Sequence, residues 1–66
     1  MRLKFDKEND ALFLRLDEEK IIDSEEIQPG IILDFNKEGK VTGVEFLNIS
    51  ERVPQKDLSN FQYQAV

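Results

Sequence analysis

The chain has no cysteine and no histidine among its 66 residues. Without cysteine no disulfide can staple it, and without both residues no ordinary zinc site can form. The same absences remove the common nucleophile and base pairings of enzymes. The three serines, Ser24, Ser50 and Ser59, lie in no nucleophile elbow. Glycine is limited to Gly30, Gly39 and Gly43, so there is no glycine-rich phosphate loop. Long apolar runs are missing as well: nothing approaches the roughly 20 residues of a membrane helix. The opening MRLKFDKEND has no signal-peptide core. Clustered positive charge is the last absence. Nine Lys and Arg are scattered among fourteen Asp and Glu, for a net charge of −5, which argues against binding nucleic acid through its phosphates. These absences together lead us to expect a cytoplasmic, non-catalytic protein with no cofactor.

What is present is alternation. Gly30 to Asn48 reads as a hairpin: Ile31, Leu33 and Phe35 alternate with Ile32 and Asp34, and Val44 and Phe46 flank Glu45 on the return. Between them lies the turn Asn36-Lys37-Glu38-Gly39, where Gly39 can adopt the left-handed conformation. Upstream, Leu3 and Phe5 alternate with Arg2, Lys4 and Asp6 in a first strand. Leu12, Leu14 and Leu16 alternate with Phe13 and Arg15 in a second, over Ala11 to Asp17. Ile21 to Ile27 is a weaker third strand with an acidic centre, which suits a sheet edge. Asn48, with Glu51 three residues on, reads as a capped helix start that Pro54 terminates.

The expected fold is therefore mostly β (α+β): an antiparallel meander of about five strands in sequential order, with a short C-terminal helix. Residues 1–53 form one small domain and 54–66 a C-terminal extension. The expected core is Leu3, Phe5, Leu12, Leu14, Leu16, Ile31, Leu33, Phe35, Val44 and Phe46, with Ile49 and Val53 docking the helix. Stability is marginal at this length. Burial contributes ~95 kcal/mol and chain ordering costs ~100 kcal/mol, so a homodimer is an economical source of extra burial.

Two groups of residues are candidates for function. Phe13 and Arg15, an aromatic and an arginine on the non-core face, have an interface composition. With the acidic Glu25 and Glu26 they form a candidate surface for a basic protein partner. The second group is Asp34, Asn36, Glu38 and Glu45. Their spacing nearly matches the calcium loop D-x-[DN]-x-[DN]-G-x5-E, with Glu38 where Asp or Asn is expected. That loop sits between helices in its usual setting, whereas the flanks here are β-rich. A turn whose Asn and Gly serve the backbone is the plainer reading.

Two segments together resemble a known family. Asp6 with Asp10-Ala11-Leu12-Phe13-Leu14-Arg15 is similar to a D-x3-D-A-L-Y-[IL]-R opening. Gly30-Ile31-Ile32-Leu33-Asp34-Phe35, Gly39 and Val41-Thr42-Gly43-Val44-Glu45-Phe46-Leu47 are similar to a G-[VI]-x-x-D-[YF]-x3-G-x-[VI]-x-G-[IV]-E-[IFL]-L close. Both resemble the domain-of-unknown-function family 2283, small prokaryotic proteins. Phe13 stands where Tyr is common in that pattern, and Asn36 where Asp is common. The resemblance implies a β-rich fold, no catalytic residues, and an antitoxin-like role as the partner of another small protein. It also singles out Asp10, Asp34, Gly43 and Glu45. Structural reasons are available for each: a turn for Asp10, crowded backbones at Gly43, and polar groups on neighbouring strands for Asp34 and Glu45. A carboxylate of this set is expected to be held by backbone N–H groups.

Overall fold

The computed structural model describes residues 1–66. Five strands form one antiparallel sheet: β1 Arg2–Asp6, β2 Ala11–Arg15, β3 Asp23–Gln28, β4 Ile31–Phe35 and β5 Val41–Leu47. A 3-10 turn, Ile49–Glu51, and a single α-helical turn, α1 Gln55–Leu58, follow. No helix is long and apolar enough to cross a membrane.

The expected hairpin is present. Leu33 faces Val44 and Ile31 faces Phe46 across β4 and β5. Gly39 has φ +77°, and Asn36 closes the turn by accepting the Glu38 and Lys40 N–H groups on its Oδ1 at 3.0 and 3.1 Å. The strand order, however, is β1-β2-β5-β4-β3 and not sequential. β2 pairs with β5, with Leu12 opposite Phe46 and Leu14 opposite Val44. The reason is burial. β5 carries apolar residues at alternate positions and takes a central place, while acidic β3 would leave charges between two strands there and moves to the edge. The β2–β3 connection therefore runs across the end of β5 and β4. The Leu16 N–H bonds the Thr42 carbonyl, and the Ile22 N–H bonds the Phe35 carbonyl, as the chain passes.

Register assigns every strand residue to a face, because paired residues project to the same side. Leu3, Phe5, Leu12, Leu14, Val44, Phe46, Ile31 and Leu33 share one face. Arg2, Lys4, Phe13, Arg15, Gly43, Glu45, Ile32, Asp34 and Ser24 share the other.

Several expectations need correction. The apolar face is only half-buried, and the five buried residues are Ala11, Asp34, Thr42, Gly43 and Ile49. A single sheet has nothing thick enough on its apolar side to cover large side chains. β2 ends at Arg15, which leaves Leu16 45 % exposed outside the expected core. Asn48 makes no side-chain cap: it is left-handed, with φ 53°. The 3-10 turn is instead anchored from a distance by Asp10, itself left-handed at φ 52°. Asp10 Oδ1 accepts the Ser50 N–H at 3.1 Å, its Oδ2 accepts the Ser50 hydroxyl at 2.6 Å, and its carbonyl accepts the Ile49 N–H at 3.0 Å. Asp and Asn tolerate this backbone region better than other side chains. Val53, Leu58 and Phe61 lie beside Leu3, Phe5 and Leu12, so the C-terminal segment lies against the β1–β2 half of the apolar face.

Candidate functional site

On the opposite face, Asp34 and Glu45 meet. Asp34 lies on β4 and Glu45 on β5, two positions along the sheet from each other: Asp34 is paired with Gly43, and Glu45 with Ile32 and Phe13. Their carboxyl groups are close enough to share a hydrogen bond. Asp34 is only 2 % exposed and accepts the Ser24 hydroxyl on Oδ1 at 2.6 Å. Gly43 makes the crowding possible. A Cβ there would lie 3.2 Å from the Leu14 carbonyl oxygen and 3.3 Å from both Asp34 Oδ2 and Arg15 Cδ. The requirement at Gly43 is therefore for space, a role its place in a strand suggested.

The electrostatics follow from this geometry. Burial, then the hydrogen bond that the protonated Glu45 donates to Asp34, then the like charge of Asp34 push the Glu45 carboxyl up to about 7 from an ordinary 4.5. Two carboxylates this close in a partly dry site cannot easily both ionise, and Glu45 keeps its proton up to near neutral pH.

A groove of about 290 Å³ opens above the pair, lined by Arg2, Lys4, Phe13, Leu14, Arg15, Ile21, Asp34, Val44 and Glu45. The Lys4 ammonium stands 5.8 Å from the centre of the Phe13 ring. Arg15 lines the same groove from β2. Its guanidinium is held by main-chain carbonyls of the crossing segment, Nε to Asp17 at 3.1 Å and Nη2 to Glu19 at 2.6 Å. That segment is pinned in turn by Asp17, which accepts the buried Thr42 hydroxyl. The Thr42 hydroxyl and then the Glu19 N–H hold the Asp17 carboxyl below its ordinary value. Arg2 pairs with Glu18 at 3.1 Å, and this is the one salt bridge of the chain.

The two groups of candidates from sequence are rearranged by this fold. Of the calcium-loop set, Asp34 and Glu45 converge, but Asn36 and Glu38 lie in the hairpin turn, where the Asn36 side-chain oxygen already serves two N–H groups. No group of three or more potential metal-binding acids forms. Of the partner-surface set, Phe13 and Arg15 line the groove. Glu25 and Glu26 lie on the far edge strand, and their register partners Leu33 and Ile32 put them on opposite faces. They do not make one surface with Phe13 and Arg15. Lys4, Arg2 and Ser24 were not recognised from sequence. The only signal for them was alternation, which aligns them with Asp34 and Glu45 once β2 is known to lie beside β5.

The architecture is that of a small single-sheet β protein, with a cationic and aromatic groove above a carboxyl pair. The family model described as "Protein of unknown function (DUF2283)" matches residues 2–50, and the chain belongs to that family. No curated protein and no solved structure matches the chain.

Proposed function

We propose that the chain is a non-catalytic protein-interaction module that closes against a second copy of itself through the apolar face of β4 and β5. The supporting observation is a missing layer. Domains are stable when two layers bury an apolar surface between them, and this chain has one sheet whose apolar side chains, those of β4 and β5 included, are only half-buried. Its surface is 5252 Å², whereas a compact monomer of 7.7 kDa exposes about 4300 Å². Its radius of gyration is 12.7 Å, against about 10.8 Å for a compact domain of this length. The exposed tail after Ser59 contributes to the excess, and so does a slab only 20 Å thick. An excess of about 900 Å² is close to the ~800 Å² each partner gives to a standard interface.

The patch suits self-association. A two-fold interface sets the same surface against itself, and Ile31, Leu33, Val44 and Phe46 bring no charge to its centre. Glu25, the partner of Leu33 on β3, sits at its rim. The absence of histidine and cysteine supports a role without catalysis. The acidic balance of −5 suits an antitoxin-like pairing of this module with a basic protein, steered by the exposed carboxylates of Asp17, Glu18 and Glu19. Light scattering on the purified chain tests the dimer: the expected mass is twice 7.7 kDa. A monomer at every concentration up to the millimolar range would refute it.

A further inference from the structure

The groove on the polar face is independent of that interface, since it opens on the other side of the sheet. We propose that it binds a small organic anion with a flat apolar body, a carboxylate whose ring lies on Phe13 and whose charge is taken by Lys4 and Arg15. The argument begins with unmet charge. The chain carries fourteen carboxylate side chains and nine cations, yet Lys4 and Arg15 have no salt-bridge partner. Arg15 is held by the Asp17 and Glu19 carbonyls, which orient its guanidinium, and the nearby Asp17 carboxylate attracts it without forming a salt bridge. Both line the same groove as Phe13. Converging cations beside an aromatic face, in an otherwise acidic protein, favour an anion with a stacking surface. The volume of about 290 Å³ is at the lower end of small-molecule sites, room for one ring and its anionic group.

The floor supports the same reading. Lys4 and Arg2 face Glu45 from β1, Arg15 from β2 and Asp34 from β4, with Glu18 paired to Arg2 on the crossing segment. While Glu45 keeps its proton, Lys4 and Arg15 stand beside Asp34 without a salt bridge, Arg2 being paired with Glu18, and an anion is attracted. When Glu45 ionises, it competes with the ligand for the same cations. Binding is therefore linked to retention of one proton and weakens by at most about tenfold per pH unit above the Glu45 transition.

The test is a titration of the labelled whole chain with phenylacetate, followed by amide NMR at pH 6 and pH 8, with sodium sulfate as the anion without a ring. The expected result is saturable shifts at Phe13, Arg15 and Glu45, weaker at pH 8. Sulfate should produce smaller shifts at the same residues. Lys4→Gln, at an exposed position that should not disturb folding, should weaken binding about tenfold. Glu45→Gln should make the affinity the same at both pH values. The proposal fails if millimolar phenylacetate leaves these amides unmoved at pH 6. It also fails if sulfate binds equally well, if the shifts map to Ile31 and Leu33 on the other face, or if Glu45→Gln retains the pH dependence.

Discussion

The two faces of the sheet use the same alternation for opposite ends. On one, Leu12, Leu14, Val44 and Phe46 stand in register and remain half-buried, because the chain has too little material to cover them. On the other, small and polar residues are the buried ones: Ala11, Gly43 and Asp34. The apolar face is only half-buried, and on the proposed reading it is completed by a second copy. The polar face buries Asp34 beside Glu45, and spends some stability to hold that carboxyl pair below Lys4 and Arg15. If this contrast is right, substitutions on the first face change stability and assembly together. Those on the second change proton binding and ligand binding at smaller cost.

Phe46→Ala should show the largest effect. Removing a ring from the centre of the apolar patch should lower stability by about 3 kcal/mol. In addition, the melting temperature, which a dimer makes dependent on protein concentration, should become less dependent on it, because a dimer that loses contact area on both sides dissociates before the chain unfolds. Thermal melts over a hundredfold concentration range measure both effects. A large loss of stability with no concentration dependence in either protein would make the apolar face an ordinary core and erase the contrast.

Gly43→Ala comes next. The new methyl would meet the Leu14 carbonyl at 3.2 Å and the Asp34 carboxylate and Arg15 stem at 3.3 Å, and overpacking of this kind costs about 1–3 kcal/mol. Backbone cannot yield as a side chain does, so the cost should persist at every pH. Equilibrium urea unfolding gives the number. A neutral result would mean that β2 and β5 can separate there without penalty.

Glu45→Gln sharpens the contrast through pH. The folded-state pKa of Glu45 is raised, from 4.5 to about 7. Between those values the folded protein keeps a proton that the unfolded chain has released. The stability this group contributes is thus complete below pH 4.5, declines as pH rises, and is lost above about 7. Wild type should lose ground to Glu45→Gln between pH 5 and pH 8 by on the order of 1–2 kcal/mol, after allowance for solvent screening. The difference between the two unfolding curves at each pH is the measurement, because it cancels every other titrating group. A constant difference would show that the carboxyls do not share a proton.

Much of this contrast was legible in the sequence, and what was not has a physical cause. The β4–β5 hairpin is a local object: its turn, its alternation and Gly39 all lie within nineteen residues, Gly30 to Asn48. Alternation alone also separates Phe13 and Arg15 from Leu12 and Leu14. What alternation cannot supply is the neighbour. β2 pairs with a strand that begins 26 residues after β2 ends, and only that pairing sets Phe13 opposite Glu45 and Arg15 opposite Gly43. Asp10 illustrates the same limit. It reads as a turn residue, and it is one, but its carboxylate also holds Ser50, forty residues away. A cap drawn from a distant loop leaves no trace in local spacing, so Asn48 looked like the better candidate.

The smallest effect should come from Lys4→Gln, and it separates the faces most cleanly. Lys4 is exposed and lies 5.8 Å from the Phe13 ring centre, a distance at which an exposed cation and a ring contribute roughly 0.5–1 kcal/mol. Loss of that contact is partly offset, because one fewer cation is crowded against Arg2 and Arg15. The expected change in stability is therefore under about 0.5 kcal/mol, within the range of ordinary surface substitutions. The chain keeps a lysine where lysine does little for folding, while the carboxyl pair beside it costs stability near neutral pH. A melting curve for Lys4→Gln that overlays wild type would show that the rim of the groove is free to serve a ligand. A drop of several degrees would mean that Lys4 is part of the scaffold, and the two faces would then differ in polarity but not in purpose.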